Sequence, residues 1–232
     1  MKPSIANLAR RKAGPQPTRN PLTSNTGPLI DLQATIKNAR QAVKTERREF
    51  LNALRIANAA EHIRELPAPD ITLHCVMKGN YNAWDIVPAI LKLIAPACIE
   101  HLCVATLGFN ASNTDQLVTL IDAGRIHSAK FLCSAYYGAH EPAVCKKLND
   151  ELRARGSVFL STRTHAKVIA ARTTCGNNYV WEGSANLRSC RNVEQFIISN
   201  SAEVFDFHSA WMCELIDGEK ENSEETQPGA DG

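Results

Sequence analysis

A chain of 232 residues can bury one substantial hydrophobic core, so a single domain with irregular ends is the economical reading. Its formal net charge of +2 is unevenly placed: residues 1–28 carry +5, residues 217–232 carry −5, and the body keeps +2, which neither demands nor excludes a polyanionic partner. Eight cysteines lie scattered with no Cys-x-x-Cys pair, no apolar run approaches the roughly 20 residues of a bilayer span, and the basic N-terminus has no apolar stretch behind it. These features argue against a disulfide framework, stable membrane insertion and a secretory leader. The pairs His74/Cys75 and His101/Cys103 lack a matching second pair, which argues against structural zinc. A cytoplasmic protein without a metal or other cofactor is expected.

Residues 1–28 hold five prolines among basic and small polar residues, too little apolar surface to offset the entropy of ordering them, and read as a disordered basic tail. Across residues 29–66, Leu32, Ile36, Ala39, Val43, Phe50, Leu54 and Ala57 recur at helical spacing behind a capping Asp31, predicting an amphipathic helix that stops before Pro67 and Pro69. It is expected to cover one face of a sheet, with partner binding as the alternative. Residues 67–216 then alternate. Strands are predicted at 71–77, 99–107, 126–134 and 157–160, with helices at 84–94, 113–123 and 141–155 between them. Such alternation predicts an α/β layered sandwich with a mixed, largely parallel central sheet covered by helices on both faces.

The stretch from Thr164 breaks that alternation. Strands at 164–171 and 179–182 flank Thr-Thr-Cys-Gly-Asn-Asn, whose Gly and Asn suit a hairpin turn. A short strand at 195–199 and a helix at 202–216 follow, with His208 expected as a core or boundary residue, before a disordered acidic tail at 217–232. In an extended strand the side-chain period is two, so His165 and Lys167 share a face. A neutral imidazole can attack phosphorus, but the anionic phosphodiester must first be held by cations and directional donors. Lys167 supplies the charge, the Ser184 hydroxyl and Asn186 amide supply donors, and Gly183 allows a close backbone turn past the phosphate. Glu194 is the candidate to accept from His165 Nδ1–H and leave Nε2 free.

His165-x-Lys167, then Gly183-Ser184-x-Asn186, then Glu194 resembles the signature of the phospholipase D superfamily, and most closely its single-motif endonucleases. The match covers about thirty residues and occurs once, with no internal repeat. The resemblance implies a phospholipase D-like fold and a homodimer whose two motifs meet in one active site. One His165 would form a phosphohistidine while the other protonates the leaving oxygen. Lys167 and Asn186 would bind the phosphate, and no metal would be needed. Two departures stand out: Arg172 occupies the place of the family's aspartate, and the hairpin before Gly183 is longer than the usual spacing. Arg172 is expected to add phosphate affinity. The leading function is a metal-independent phosphodiesterase acting on DNA or RNA. The alternatives are a phospholipid hydrolase or transferase of the same superfamily and a catalytically degenerate nucleic-acid-binding protein.

Overall fold

The computed structural model describes residues 49–188 and 192–225. Seven strands, β1 (Thr72–Lys78), β2 (Ile99–Thr106), β3 (Ile126–Ser134), β4 (Val158–Thr162), β5 (Val168–Thr173), β6 (Asn178–Gly183) and β7 (Val193–Asn200), form one open sheet in the order β1-β7-β6-β5-β2-β3-β4. The helices are α1 (residues 49–63), α2 (Ile86–Leu93), α3 (Ala111–Asp122), α4 (Ala135–His140), α5 (Pro142–Arg153) and α6 (Ala202–Glu225). This is the expected α/β layered architecture with a mixed sheet and helices on both faces. The parallel share is smaller than expected, since only β2–β3 and β3–β4 run parallel and the other four pairings are antiparallel. The reason is local. Parallel neighbours need a crossover helix, and α3 and α5 supply one each, whereas β5, β6 and β7 are joined without any helix. Gly176, at φ +85°, provides the positive φ that the β5–β6 hairpin requires.

Alternation along the strands divides the core in two. Ile169, Trp181 and Phe196 face a layer holding Ala59 and Ile63 of α1, Ile90 of α2, Leu117 of α3 and Leu148 of α5. Their neighbours Val168, Ala170 and Val180 face Phe205, Met212 and Ile216 of α6. His208 is buried on α6, as expected for a core residue. Its Nδ1 accepts from the Trp211 indole N–H at 3.1 Å, which leaves Nε2 as the protonated nitrogen, 3.3 Å from Glu182 Oε1.

Element expectations change at several places. The amphipathic helix is helical over residues 49–63, and the rest of the 29–66 expectation, like the 1–28 tail, lies outside the described residues. Helix α6 continues through Glu225, so residues 217–225 are helical where disorder was expected, and residues 226–232 lie outside the described residues. The Glu and Lys residues of α6 have high helix propensity and extend a helix already nucleated by its buried stripe. Helix α4 was not predicted, because Ala-Tyr-Tyr-Gly-Ala-His has no helical periodicity. It starts on Ser134, whose Oγ accepts from Tyr136 N–H at 3.2 Å.

The registers place the ends of β1, β2, β3, β4 and β6 and the starts of β5 and β7 along one rim. Met77 pairs with Glu194, Gly183 with Phe196, Val168 with Glu182 and Ala105, Thr106 with Cys133, and Ser134 with Thr162.

Candidate functional site

His165 and Lys167 sit on this rim, in an irregular segment that leads into β5 and not in a strand as expected. The ladders to both neighbours of β5 begin at Val168, so Thr164–Ala166 projects beyond them. Local bonds shape the projection: Thr164 N–H donates to Thr162 O at 2.8 Å, and Ala166 N–H donates to Thr164 Oγ1 at 3.2 Å. Lys167 Nζ lies 3.3 Å from His165 Nδ1 and 3.3 Å from the His165 carbonyl oxygen. The imidazole is exposed and the lysine half-buried.

The Gly-Ser-x-Asn turn stands beside this pair. Gly183 N–H reaches Lys167 O at 3.4 Å, carrying the β5–β6 contact one residue past the ladder. Ser184 is tied to β7 through both its backbone and its hydroxyl. Its N–H donates to Gln195 O at 3.1 Å, its Oγ accepts from Gln195 N–H at 3.2 Å, and its hydroxyl donates to the Glu194 carboxylate. Asn186 is half-buried, and its Oδ1 is enclosed with no hydrogen-bond partner among the described residues. A buried amide oxygen left in that state carries a desolvation cost that an incoming donor would relieve.

Several roles look different from this geometry. Glu194 was expected to hold His165 Nδ1; here it holds Ser184, and Lys167 stands at Nδ1. Gly183 has a packing reason to be glycine. A Cβ there would lie 2.8 Å from Phe196 Cβ, 2.8 Å from Trp181 and 2.9 Å from Gln195 O. Arg172 is not brought to the cluster. It lies five residues along β5 from Lys167, about 17 Å at the strand rise. There its Nη2 pairs with Asp206 at 2.5 Å, its Nε donates to Asn178 at 3.0 Å, and its guanidinium stacks 4.3 Å from the Phe205 ring centroid. The expected phosphate contact of Arg172 is therefore replaced by a clamp between β5, β6 and α6.

The rim also carries residues not singled out from the sequence. Beyond β1 lie Asn80 and the buried Tyr81, whose hydroxyl is 2.7 Å from His62 Nδ1 on α1. Burial pushes the Tyr81 phenol above its ordinary range, with the Cys75 charge adding to the shift. Beyond β3, Tyr136 is 69% exposed and stacks on His140 at 4.1 Å between ring centroids. The available signal was position: Gly-Asn-Tyr-Asn and Ser-Ala-Tyr-Tyr-Gly directly follow predicted strands, where ligands bind in open α/β sheets. Among the described residues no group of three or more His, Cys, Asp or Glu side chains is placed to hold a metal ion. No described helix is long and apolar enough to cross a membrane.

Neither a family model nor a curated protein matches the chain. Among solved structures it is similar to the polyphosphate kinase of Porphyromonas gingivalis, at 13% identity and a TM-score of 0.44, over 68% of this chain and 29% of that one. The chain thus spans under a third of that protein's length, and no residue assignment rests on so remote a likeness.

Proposed function

We propose that the chain is a metal-independent phosphodiesterase, acting on nucleic acid as a homodimer with His165 as nucleophile. The observation that carries this reading is the exposed His165 imidazole with a lysine ammonium 3.3 Å from its Nδ1, next to the Gly183–Asn186 turn. A phosphodiester is an anion, so its arrival would draw Lys167 Nζ from the neutral imidazole onto a phosphate oxygen and free Nδ1. Asn186 would add a directional contact by donating from its side-chain Nδ2–H, and the Ser184 hydroxyl would do so on turning from Glu194. Attack by the imidazole nitrogen on phosphorus would form the P–N bond and break the P–O bond to the leaving group. A second His165 from the partner copy would protonate that leaving oxygen. Water, deprotonated by the second histidine, would then cleave the P–N bond and restore the first.

A chain with one motif holds half of such a site, hence the proposed two-fold dimer. The test is cleavage of labelled nucleic acid in EDTA by wild type and His165→Ala, with sedimentation for the dimer. Activity that needs added divalent metal, activity that survives the substitution, or a monomer at assay concentration would each refute the mechanism. Release of lipid headgroup from vesicles without nucleic-acid cleavage would point to the phospholipid reading. Salt-sensitive binding without turnover would point to the degenerate one.

A further inference from the structure

On the far side of β7 and β6 from His165, the rim opens into a cavity of about 550 Å³ lined by Asn58, Glu61, His62, Arg64, Asn80 and Tyr81. Its volume suits a nucleotide-sized ligand. Its floor is rigid: Tyr81 is 2% exposed, bonded to His62, and the His62 ring lies edge-on to Tyr81 and to Phe196. Above the floor, Glu61, His62, Arg64 and Asn80 are exposed and the Asn58 amide bridges to Asn80 O at 3.2 Å. Arg64 closes α1 at φ +57°, a left-handed conformation that costs an arginine about 1 kcal/mol and that glycine usually occupies at helix ends.

The composition discriminates between ligands. A pocket for phosphate alone would have no use for the Glu61 carboxylate, which repels it. A base edge offers N–H donors that a carboxylate accepts, asparagines read base edges in both directions, an imidazole face stacks on a base, and an arginine holds the adjoining phosphate. Base faces and edges are open in this way only when the base is unpaired.

The opposite flank holds a second platform. Tyr136, exposed on one face and backed by His140 on the other, stands beyond β3, with its backbone N–H fixed by Ser134. By strand order, β1 lies three strands from β5 and β3 lies two strands from it. At the usual strand spacing this is about 14 Å on one side of the His165 segment and about 10 Å on the other. Building on the phosphodiesterase reading, we propose that the rim grips an unpaired nucleic-acid strand on both sides of His165. A base seats in the Asn58–Tyr81 pocket on one flank and a base stacks on Tyr136 on the other.

The experiment measures fluorescence anisotropy of labelled oligonucleotides with full-length His165→Ala, which binds without turnover, and with further variants in that background. The expected order is single strand tighter than its duplex and tighter than an abasic strand of the same length. Tyr136→Ala and His62→Ala each weaken single-strand binding about tenfold, and Tyr136→Phe does not. Glu61→Gln narrows a preference for oligo-dC over oligo-dT. Tyr136 is exposed, so its variants fold irrespective of the role assigned. Equal affinity for intact and abasic strands, indifference to both alanine substitutions, or preference for anionic phosphatidylglycerol vesicles over the single strand would overturn the proposal. Hydrolysis of bis(p-nitrophenyl) phosphate by wild type, which involves no base, separates the two readings. If it occurs and intact and abasic strands bind alike, the strand grip alone falls. If it is absent or independent of His165, the phosphodiesterase reading falls, and the binding results still decide the grip.

Discussion

Replacing Arg172 with methionine tests whether this residue is a clamp or a phosphate ligand. The guanidinium makes three contacts: an ion pair with Asp206 whose side chains are 35% and 65% exposed, a bond to the Asn178 amide oxygen at 3.0 Å, and a stack on Phe205 at 4.3 Å. An ion pair that open to solvent contributes about 0.5 kcal/mol, a hydrogen bond to a neutral partner about 1 kcal/mol, and a half-exposed cation–π contact about 0.5 kcal/mol. Methionine keeps much of the aliphatic packing, so Arg172→Met should cost about 2 kcal/mol, or about 4 to 8 °C in Tm for a chain of this size. Urea unfolding and thermal melts measure that loss. Phosphodiesterase kcat/KM, assayed well below Tm, should match wild type because Lys167 is about 17 Å away. A rise in KM with unchanged stability would refute the clamp and return Arg172 to the substrate site.

Gly183→Ala should destabilise by about 1 to 3 kcal/mol through overpacking, read as a lower urea midpoint, because its Cβ would enter the space of Phe196, Trp181 and the Gln195 carbonyl. Asp85 is almost fully buried, and desolvation raises its carboxyl above the ordinary range against the opposing pull of Asn82 N–H and Arg55. A carboxylate whose folded value is raised costs stability above that value, and the cost is relieved as pH falls through it. Wild type should therefore gain on Asp85→Asn in urea unfolding as pH falls from neutrality toward the ordinary carboxylate range; a loss on acidification would contradict the assignment. Cys175 is exposed, and its thiol is pulled down by hydrogen bonds, foremost from Thr173, whereas burial pushes Cys133 up to about 12. Of these two, iodoacetamide at neutral pH should label Cys175 first by peptide mapping, and Thr173→Ala should slow that labelling.

The parts of the fold that rest on local pattern could be read from the chain. The apolar runs of β2 and β3, the Gly176 hairpin and the buried stripe of α6 are set by burial and turn chemistry within a few residues. So is the nearness of His165 and Lys167, which two-residue spacing makes legible even though the segment is not a strand. What could not be read depends on pairing across distance. Nothing in Thr72–Lys78 says that β1 takes the sheet edge against β7, four places from β2, and this placement carries the Asn58–Tyr81 pocket to the His165 rim. Arg172 was read as a free cation because Asp206 is 34 residues away. Glu194 was read as the histidine's partner because the Ser184 hydroxyl that reaches it is placed by the β6–β7 register and not by sequence spacing.

The central claim is that His165 attacks phosphorus without a metal. The most direct measurement is hydrolysis of bis(p-nitrophenyl) phosphate in EDTA by wild type and His165→Ala. The account predicts turnover by wild type and a loss of at least about a hundredfold in the variant. Equal rates for the two proteins, or turnover only when divalent metal is restored, would contradict it.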